Sequence, residues 1–416
     1  MSKPNLSHIV KLGLIALVVM LRVGNASGSA SAQATSVKIA IMGPFTGNAA
    51  SVGQEQLNFA KLAVADFNKT SGMNVQLVEV DTQLDAAKAV TGAQSVVSNN
   101  DVLGVVGPAG SQEIEAISPI FAPANIVFVS PSATRTSLTE NGVKVFFRVV
   151  PRDDVQGPTD AMYMVTALKA KNVYVIDDQT SYSSGLGDEV EKTLKGLNIP
   201  TERDSITQKD TDFSALVTRM KGASPDVIFV PFQLANQAAQ IAKQMAEQGL
   251  KATLFGTDGD FAPADFIKAA GGATEGAYVS FFAPDIHGLP NAKNVVSAYQ
   301  KQYGDFGSFG GPSYSATTIL LEAIQRAAKA GTPTRASVLA EVAKTNDASS
   351  ILGIPIKFDT KGDIVGASFF IFQVKGDNFV LVPGAAVPPM SATTSATMSA
   401  TMNAAVSATV SATAAQ

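Results

Sequence analysis

The sequence predicts an α/β protein of two Rossmann-like lobes, each with a parallel sheet between layers of helices. Three observations carry that expectation. Short apolar, β-branched runs recur along the chain, each is followed by a loop rich in Gly, Pro, Ser or Thr, and each loop opens onto apolar residues at helical spacing. Strands that read as continuous apolar runs are those covered on both faces, and the intervening helices supply the cover. The pattern fills about 350 of the 416 residues, more than one sheet usually organises, so two lobes are expected.

The first cycle is residues 37–42, Val-Lys-Ile-Ala-Ile-Met, then Gly43-Pro44 and a loop with Gly47 and Gly53, then Leu57, Ala60, Ala63, Val64 and Phe67 at helical spacing. The second is a strand at 75–80 and a helix at 86–97. The third is a strand at 103–106, the loop Gly107-Pro108-Ala109-Gly110-Ser111 and a helix at 113–121. Further strands are expected at 126–129, 173–176, 227–230 and 253–255. Pro151 and the charged Arg152-Asp153-Asp154 lie mid-pattern and suit a lobe boundary.

Both ends read differently from this body. Lys3 and Lys11 precede an apolar run at 12–21, Arg22 closes it, and small residues lead to Ala32-Gln33-Ala34, the pattern of a secretory leader with its cleavage site over residues 1–34. The run is too short for a membrane anchor. Removal of the leader takes Lys3, Lys11 and Arg22, leaving 28 basic and 35 acidic residues. From residue 384 to 416 the chain is mostly Ser, Ala, Thr and Met, with Ser-Ala-Thr recurring from Ser391. Such residues bury too little surface to offset ordering entropy, so a disordered tail is expected, with a glycosylated spacer as the alternative.

Composition removes several function classes. There are 31 basic against 35 acidic residues and no like-charge block, so the footprint of a nucleic-acid binder is missing. With no cysteine and two histidines, His8 and His287, thiolate or multi-His metal sites are excluded and no cofactor is expected. His287, in a polar loop without an evident partner, reads as a surface residue. The body has neither a phosphate loop nor a nucleophile elbow, and Gly185-Leu-Gly187 lacks the third glycine of a dinucleotide fingerprint.

In doubly wound sheets ligands sit beyond the carboxyl ends of the strands. Those loops here hold Ser111 at a helix start, Ser130-Pro131-Ser132-Ala133-Thr134, a run from Asp177 to Gly185 that includes Tyr182, and Gly256-Thr257-Asp258-Gly259-Asp260. Hydroxyls and free N–H groups suit a carboxylate, and a carboxylate suits an ammonium, so the set fits a zwitterion. The same Ser and Thr also serve as helix N-caps, Asp258 as a turn former and Tyr182 as a surface aromatic.

Three segments carry a resemblance to a family. Residues 39–47, Ile-Ala-Ile-Met-Gly-Pro-Phe-Thr-Gly, look like the first strand and loop of the leucine/isoleucine/valine group of type I periplasmic binding proteins, the substrate-binding proteins of ABC transporters. Residues 147–157, Phe-Arg-Val-Val-Pro-Arg-Asp-Asp-Val-Gln-Gly, are similar to that family's first interlobe crossover. Asp212-Phe213-Ser214-Ala215-Leu216, leading to Pro225-Asp226-Val227-Ile228-Phe229, is nearly a signature.

The resemblance implies three crossovers, with one lobe of residues 36–150 and 280–361 and another of 151–279 and 362–383. It implies capture of an amino acid, a branched-chain one being expected, by lobe closure without covalent chemistry. Delivery goes to an ABC permease, and the binding protein acts as a monomer. The family's carboxylate-binding serine falls on Ser111, its backbone carbonyl and threonine hydroxyl on Ser132 and Thr134 around Ala133, its aromatic loop residue on Tyr182, and its ammonium partner on Asp258, one methylene shorter than the commoner Glu. Ala109, Gly110 and Gln233 fall at the margin. Pro231-Phe232-Gln233 and Val52 depart from the family where members often carry aromatics, which leaves the ligand side chain open. A small amide or urea on the same fold, and a dinucleotide-dependent dehydrogenase, remain the alternatives.

Overall fold

The computed structural model describes residues 36–384; the expected leader and the expected tail beyond Gly384 lie outside the described residues. Strict alternation in the first strand, β1 (Ser36–Gly43), sends Ile39 and Ile41 to one face and Ala40 and Met42 to the other. Each face is covered by helices, and burial of this kind stabilises by about 25 cal/mol per Å² of apolar surface. On the Ile39 side α1 (Ala50–Ser71) brings Leu57, Phe59 and Ala60. On the Ala40 side α2 (Ala86–Ser98) brings Ala89, Ala93 and Val96, and α3 (Ser111–Phe121) brings Ile114, Ile117 and Phe121.

β1 is flanked by β2 (Asn74–Asp81) and β3 (Val102–Val106), followed by β4 (Val127–Ser130) and β5 (Phe146–Arg148), giving the order β2-β1-β3-β4-β5 with every pairing parallel. A one-turn helix α4 (Ser137–Glu140) precedes β5. The chain then passes through Val149–Arg152 into α5 (Asp153–Thr166) and a second sheet.

That sheet contains β6 (Val173–Asp177), β7 (Thr201–Ser205), β8 (Val227–Val230), β9 (Thr253–Gly256) and β10 (Tyr278–Phe281). Between its strands run α6 (Ser181–Gly196), α7 (Ser214–Ala223) and α8 (Ala235–Glu247). The chain returns to the first lobe for α9 (Lys293–Tyr303), α10 (Gly310–Ala330) and α11 (Arg335–Val342), and α10 packs along α1. A two-residue ladder of β11 (Asn346–Asp347) and β12 (Ile356–Lys357) follows. Finally β13 (Phe370–Lys375) and β14 (Asn378–Leu381) add an antiparallel edge, completing the order β14-β13-β10-β9-β8-β6-β7.

Two boundaries differ from the sequence-based expectation. The second crossing was expected at Ser280, but β10 continues to Phe281 because β13 pairs with it there, Phe281 opposite Phe370. The third was expected at residue 362, yet Asp363 bridges to Arg148 beside the first sheet and Ile364 packs in the first core, whereas Phe369 packs in the second. The chain therefore changes lobes between Ala283 and Ile286 and between Ile364 and Phe369.

A buried ion pair joins two of the crossings. Arg148 Nε meets Asp363 Oδ1 at 2.6 Å, and its other nitrogens donate to Thr139 Oγ1 at 2.8 Å and the carbonyls of Ala133 and Arg135 at 3.2 and 2.8 Å. Arg152 reaches the second Asp363 oxygen at 3.0 Å. Removing one partner of such a pair strands a charge, at a cost of about 3–5 kcal/mol.

Candidate ligand-binding cleft

The carboxyl ends of the strands face a small cavity of about 60 Å³ lined by residues of both lobes. Its polar wall in the first lobe is two loops held to one another. Ser130 Oγ donates to the Pro108 carbonyl at 2.7 Å and receives the Ala133 N–H at 3.0 Å, while Ser132 Oγ donates to the Ala109 carbonyl at 3.1 Å. Gly107, at φ +90°, fits because a Cβ there would lie 2.2 Å from the Met42 carbonyl. These contacts set Ala109, Gly110, Ser111 and Ser132 into the cavity lining, with Ser111 opening α3. The unpaired N–H groups and positive end of that helix favour an anion at this wall. Glu113 receives the Gly110 N–H at 2.7 Å, and burial raises its pKa to about 7 against the lowering hydrogen bonds of Thr82 and Gly110.

Across the cavity the second lobe contributes Tyr182, Gln233, Asp258 and Gly259. Asp258 follows β9 and is 4% exposed. Its Oδ1 accepts from the Tyr182 hydroxyl and from Gln156 Nε2, both at 2.8 Å. Burial raises its pKa to about 6, against the lowering donors Gln156 and Tyr182. Tyr182 also meets Thr257 Oγ1 at 2.7 Å, and its own pKa is driven up by burial and by the Asp258 charge. Tyr182, expected in the site with a surface ring as the alternative, is a buried hydroxyl donor to Asp258.

Thr134 and Ala133 are buried behind this wall and are not among the residues lining the cavity. Thr134 Oγ1 has no hydrogen-bond partner among the described residues, and neither carboxylate oxygen of Asp153 has one. Burial raises Asp153 to about 7, moderated by the neighbouring Thr134 hydroxyl. Gln233, expected at the margin, lines the cavity but commits its amide to Gln112 of the first lobe in reciprocal bonds of 2.9 and 3.0 Å. Ser181 Oγ to Glu115 Oε2 at 2.6 Å, Arg135 to Ser181, and Ser51 Oγ to Asp265 Oδ2 at 2.7 Å also cross between lobes. The cleft is thus shut, with both lobes in direct contact.

The opposite end is apolar, lined by Pro44, Ala49, Val52, Leu84 and Phe309. Sequence reading singled out Val52 alone among these as a position facing a ligand. Phe309 arrives from the loop before α10, which sequence distance hides. Gln83 and Leu84 hold φ of 51° and 63°, a left-handed pair unusual outside glycine and found at functional sites. Asp81 shapes the adjoining loop by accepting from the Phe45 N–H at 2.9 Å and the Thr46 hydroxyl at 2.5 Å. His287 does not line the cleft. Its expected lack of partners is corrected, since Nδ1 lies 2.6 Å from Asp285 and the ring stacks on Phe306 at 4.1 Å.

A family model described as periplasmic binding protein matches residues 36–378. The chain belongs to the periplasmic binding protein family. Within that family it is 31% identical over 373 residues to a leucine-specific-binding protein of Salmonella typhimurium, covering 88% of this chain and 95% of the other. It superimposes on a leucine-binding protein from Thermotoga maritima with a TM-score of 0.77 at 28% identity, over 83% of this chain and 97% of that one. A branched-chain amino-acid transporter substrate-binding protein from Streptococcus pneumoniae, solved with isoleucine, matches with a TM-score of 0.76 at 25% identity, over 85% and 100% of the two chains. Members of this family are solute-binding proteins of type I architecture, not enzymes.

Proposed function

We propose that the protein captures a branched-chain amino acid in the interlobe cleft, as a monomer, and delivers it to an ABC permease after export through the leader at residues 1–34. One observation carries the reading: a carboxylate, Asp258, is taken out of water at one wall of an interlobe cavity whose other walls are a helix N-terminus with Ser111 and an aliphatic end. Burying a carboxylate is costly without a cation, and an α-ammonium supplies one. The carboxylate of the same ligand then meets Ser111 and the start of α3. The aliphatic side chain fills the space by Val52, Leu84 and Phe309, whose burial favours closure by roughly 25 cal/mol per Å². Ligand contacts from both lobes select the shut state, and hinge motion at the three crossings opens it.

A small neutral amide gives no reason to desolvate Asp258. Calorimetric titration with leucine, isoleucine, valine, urea and acetamide tests the reading. Saturable binding of the amino acids with none for the amides is expected; tighter binding of an amide than of any amino acid would overturn it.

A further inference from the structure

The acid at the ammonium wall is braced from behind. Gln156, buried in the first turn of α5, donates through Nε2 to Asp258 Oδ1 at 2.8 Å and to Ser280 Oγ at 3.0 Å. Ser280 donates in turn to Asp160 Oδ2 at 2.9 Å, one turn further along the same helix. Both side-chain donors to Asp258, Gln156 and Tyr182, converge on Oδ1, which leaves Oδ2 without a side-chain donor among the described residues, on a residue that lines the cavity. A carboxylate with one oxygen doubly engaged has lost the rotation that would otherwise share the ligand between its two oxygens. The brace is kept although Gln156 Oε1 and Asp160 Oδ1 are buried with no partner among the described residues, a costly arrangement for polar atoms. Its anchor points are placed to matter: α5 starts where the first crossing ends, and Ser280 lies in β10, the strand that leads into the second crossing.

We propose that Gln156, held by Ser280 and through it by Asp160, is a positioning residue that aims Asp258 Oδ2 into the cleft and so sets discrimination for an α-ammonium. The inference rests on the amino-acid reading above. Gln156 touches no part of the cavity itself, so it acts through Asp258. The groups facing Asp258 are Asp153 and Asp160 from α5, Tyr182 from α6, and Asp260 two residues on, all acidic or neutral. Gln156 and Tyr182 are therefore the side-chain donors that favour the ionised form of Asp258.

The test is calorimetry on the full chain and on Gln156→Met, Ser280→Ala and Asp160→Asn, with leucine and with 4-methylpentanoate, which lacks the ammonium, across about pH 5 to 8. Gln156→Met should bind leucine about 10-fold more weakly, as expected for loss of a hydrogen bond to a charged group, and leave 4-methylpentanoate within about twofold. Its leucine affinity should also begin to fall at higher pH than in the parent, because Asp258 loses a donor to its ionised form. Ser280→Ala should shift both readouts the same way by less, and Asp160→Asn, which keeps an acceptor for Ser280, should match the parent. Equal loss for both ligands with an unmoved pH profile, or unchanged leucine affinity, would overturn the proposal while leaving the amino-acid reading intact. Failure of the parent chain to bind any amino acid overturns both. Should Gln156→Met not fold, Ser280→Ala with an unchanged melting temperature decides by the same two readouts.

Discussion

At Asp258, burial lifts the carboxyl to a pKa of about 6, so at neutral pH the group is ionised inside a shut cleft. Asp258→Asn keeps the shape and removes the charge. Breaking one side of a desolvated charge pair costs about 2–5 kcal/mol, so leucine affinity should fall roughly 30-fold or more while 4-methylpentanoate is little affected. Titration of both ligands checks this, and equal losses would return Asp258 to a turn-shaping role. The same pKa sets a pH limit: a ligand that needs the anion loses affinity as pH drops through about 6. Behind the carboxylate wall, Thr134 Oγ1 is buried with no hydrogen-bond partner among the described residues, so Thr134→Val tests whether this hydroxyl reaches the ligand: direct donation predicts leucine binding weakened about 10- to 150-fold. Unchanged affinity by calorimetry would remove the residue from the site. Ser111, Tyr182 and Asp258 were legible because each follows an apolar strand run. Gln156 was not, since it lies inside a helix and reaches the site only through the packing of α5 against β10.

Among the elements, the acidic loop after β9 is held by close approach. A Cβ on Gly259 would stand 1.9 Å from the Phe232 carbonyl, so this turn seats directly on the loop after β8. Gly259→Ala must push the turn away and carry Asp258 with it, and we expect weaker leucine binding together with a lower melting temperature. Retention of both would show that the backbone moves without cost. Where the lobes meet, the Gln112 and Gln233 amides pair reciprocally across the cleft. Gln233→Ala should shift the ligand-free protein toward the open form, seen as a larger radius of gyration by small-angle scattering, with saturating leucine restoring the compact value. The buried parallel strands were readable as apolar runs. β7 was not, because Thr-Glu-Arg-Asp-Ser is a polar edge strand stabilised by Arg203 ion pairs at 2.7 to 2.8 Å to Asp177, Asp188 and Glu191. The β13–β14 edge escaped for a related reason: its pairing partner β10 is about 90 residues away, and such long-range pairing leaves no local mark.

For the whole molecule, stability and binding should respond to acid with opposite sign. Burial raises Glu55, Glu113 and Asp153 to about 7 and Asp258 to about 6. Between the ordinary carboxylate range and those values, the folded chain holds protons that the unfolded chain has released. Stability from these groups therefore falls as pH rises through that window. Asp363 works the other way: its pKa is lowered, so its contribution is present above the ordinary value and is lost in stronger acid. The ligand-free protein should melt higher near pH 5 than near pH 8, Asp153→Asn should flatten the difference, and leucine affinity should decline over the same acid range. A melting temperature that climbs steadily toward pH 8 would contradict the assignment.

By itself the sequence determined the α/β class, the alternation of strand and helix, and which loops stand at the carboxyl ends of strands. These follow from local periodicity and from the need of a parallel sheet to bury both faces, and both leave their mark residue by residue. Only the tertiary structure decided where the chain changes lobes, that Tyr182 is a buried donor, that Phe309 and Leu84 close the apolar end, and that Gln156 braces Asp258 from behind. Each of these depends on contacts between segments far apart in the chain, and the energy of such a contact resides in a distance and a degree of burial that no single stretch of sequence contains.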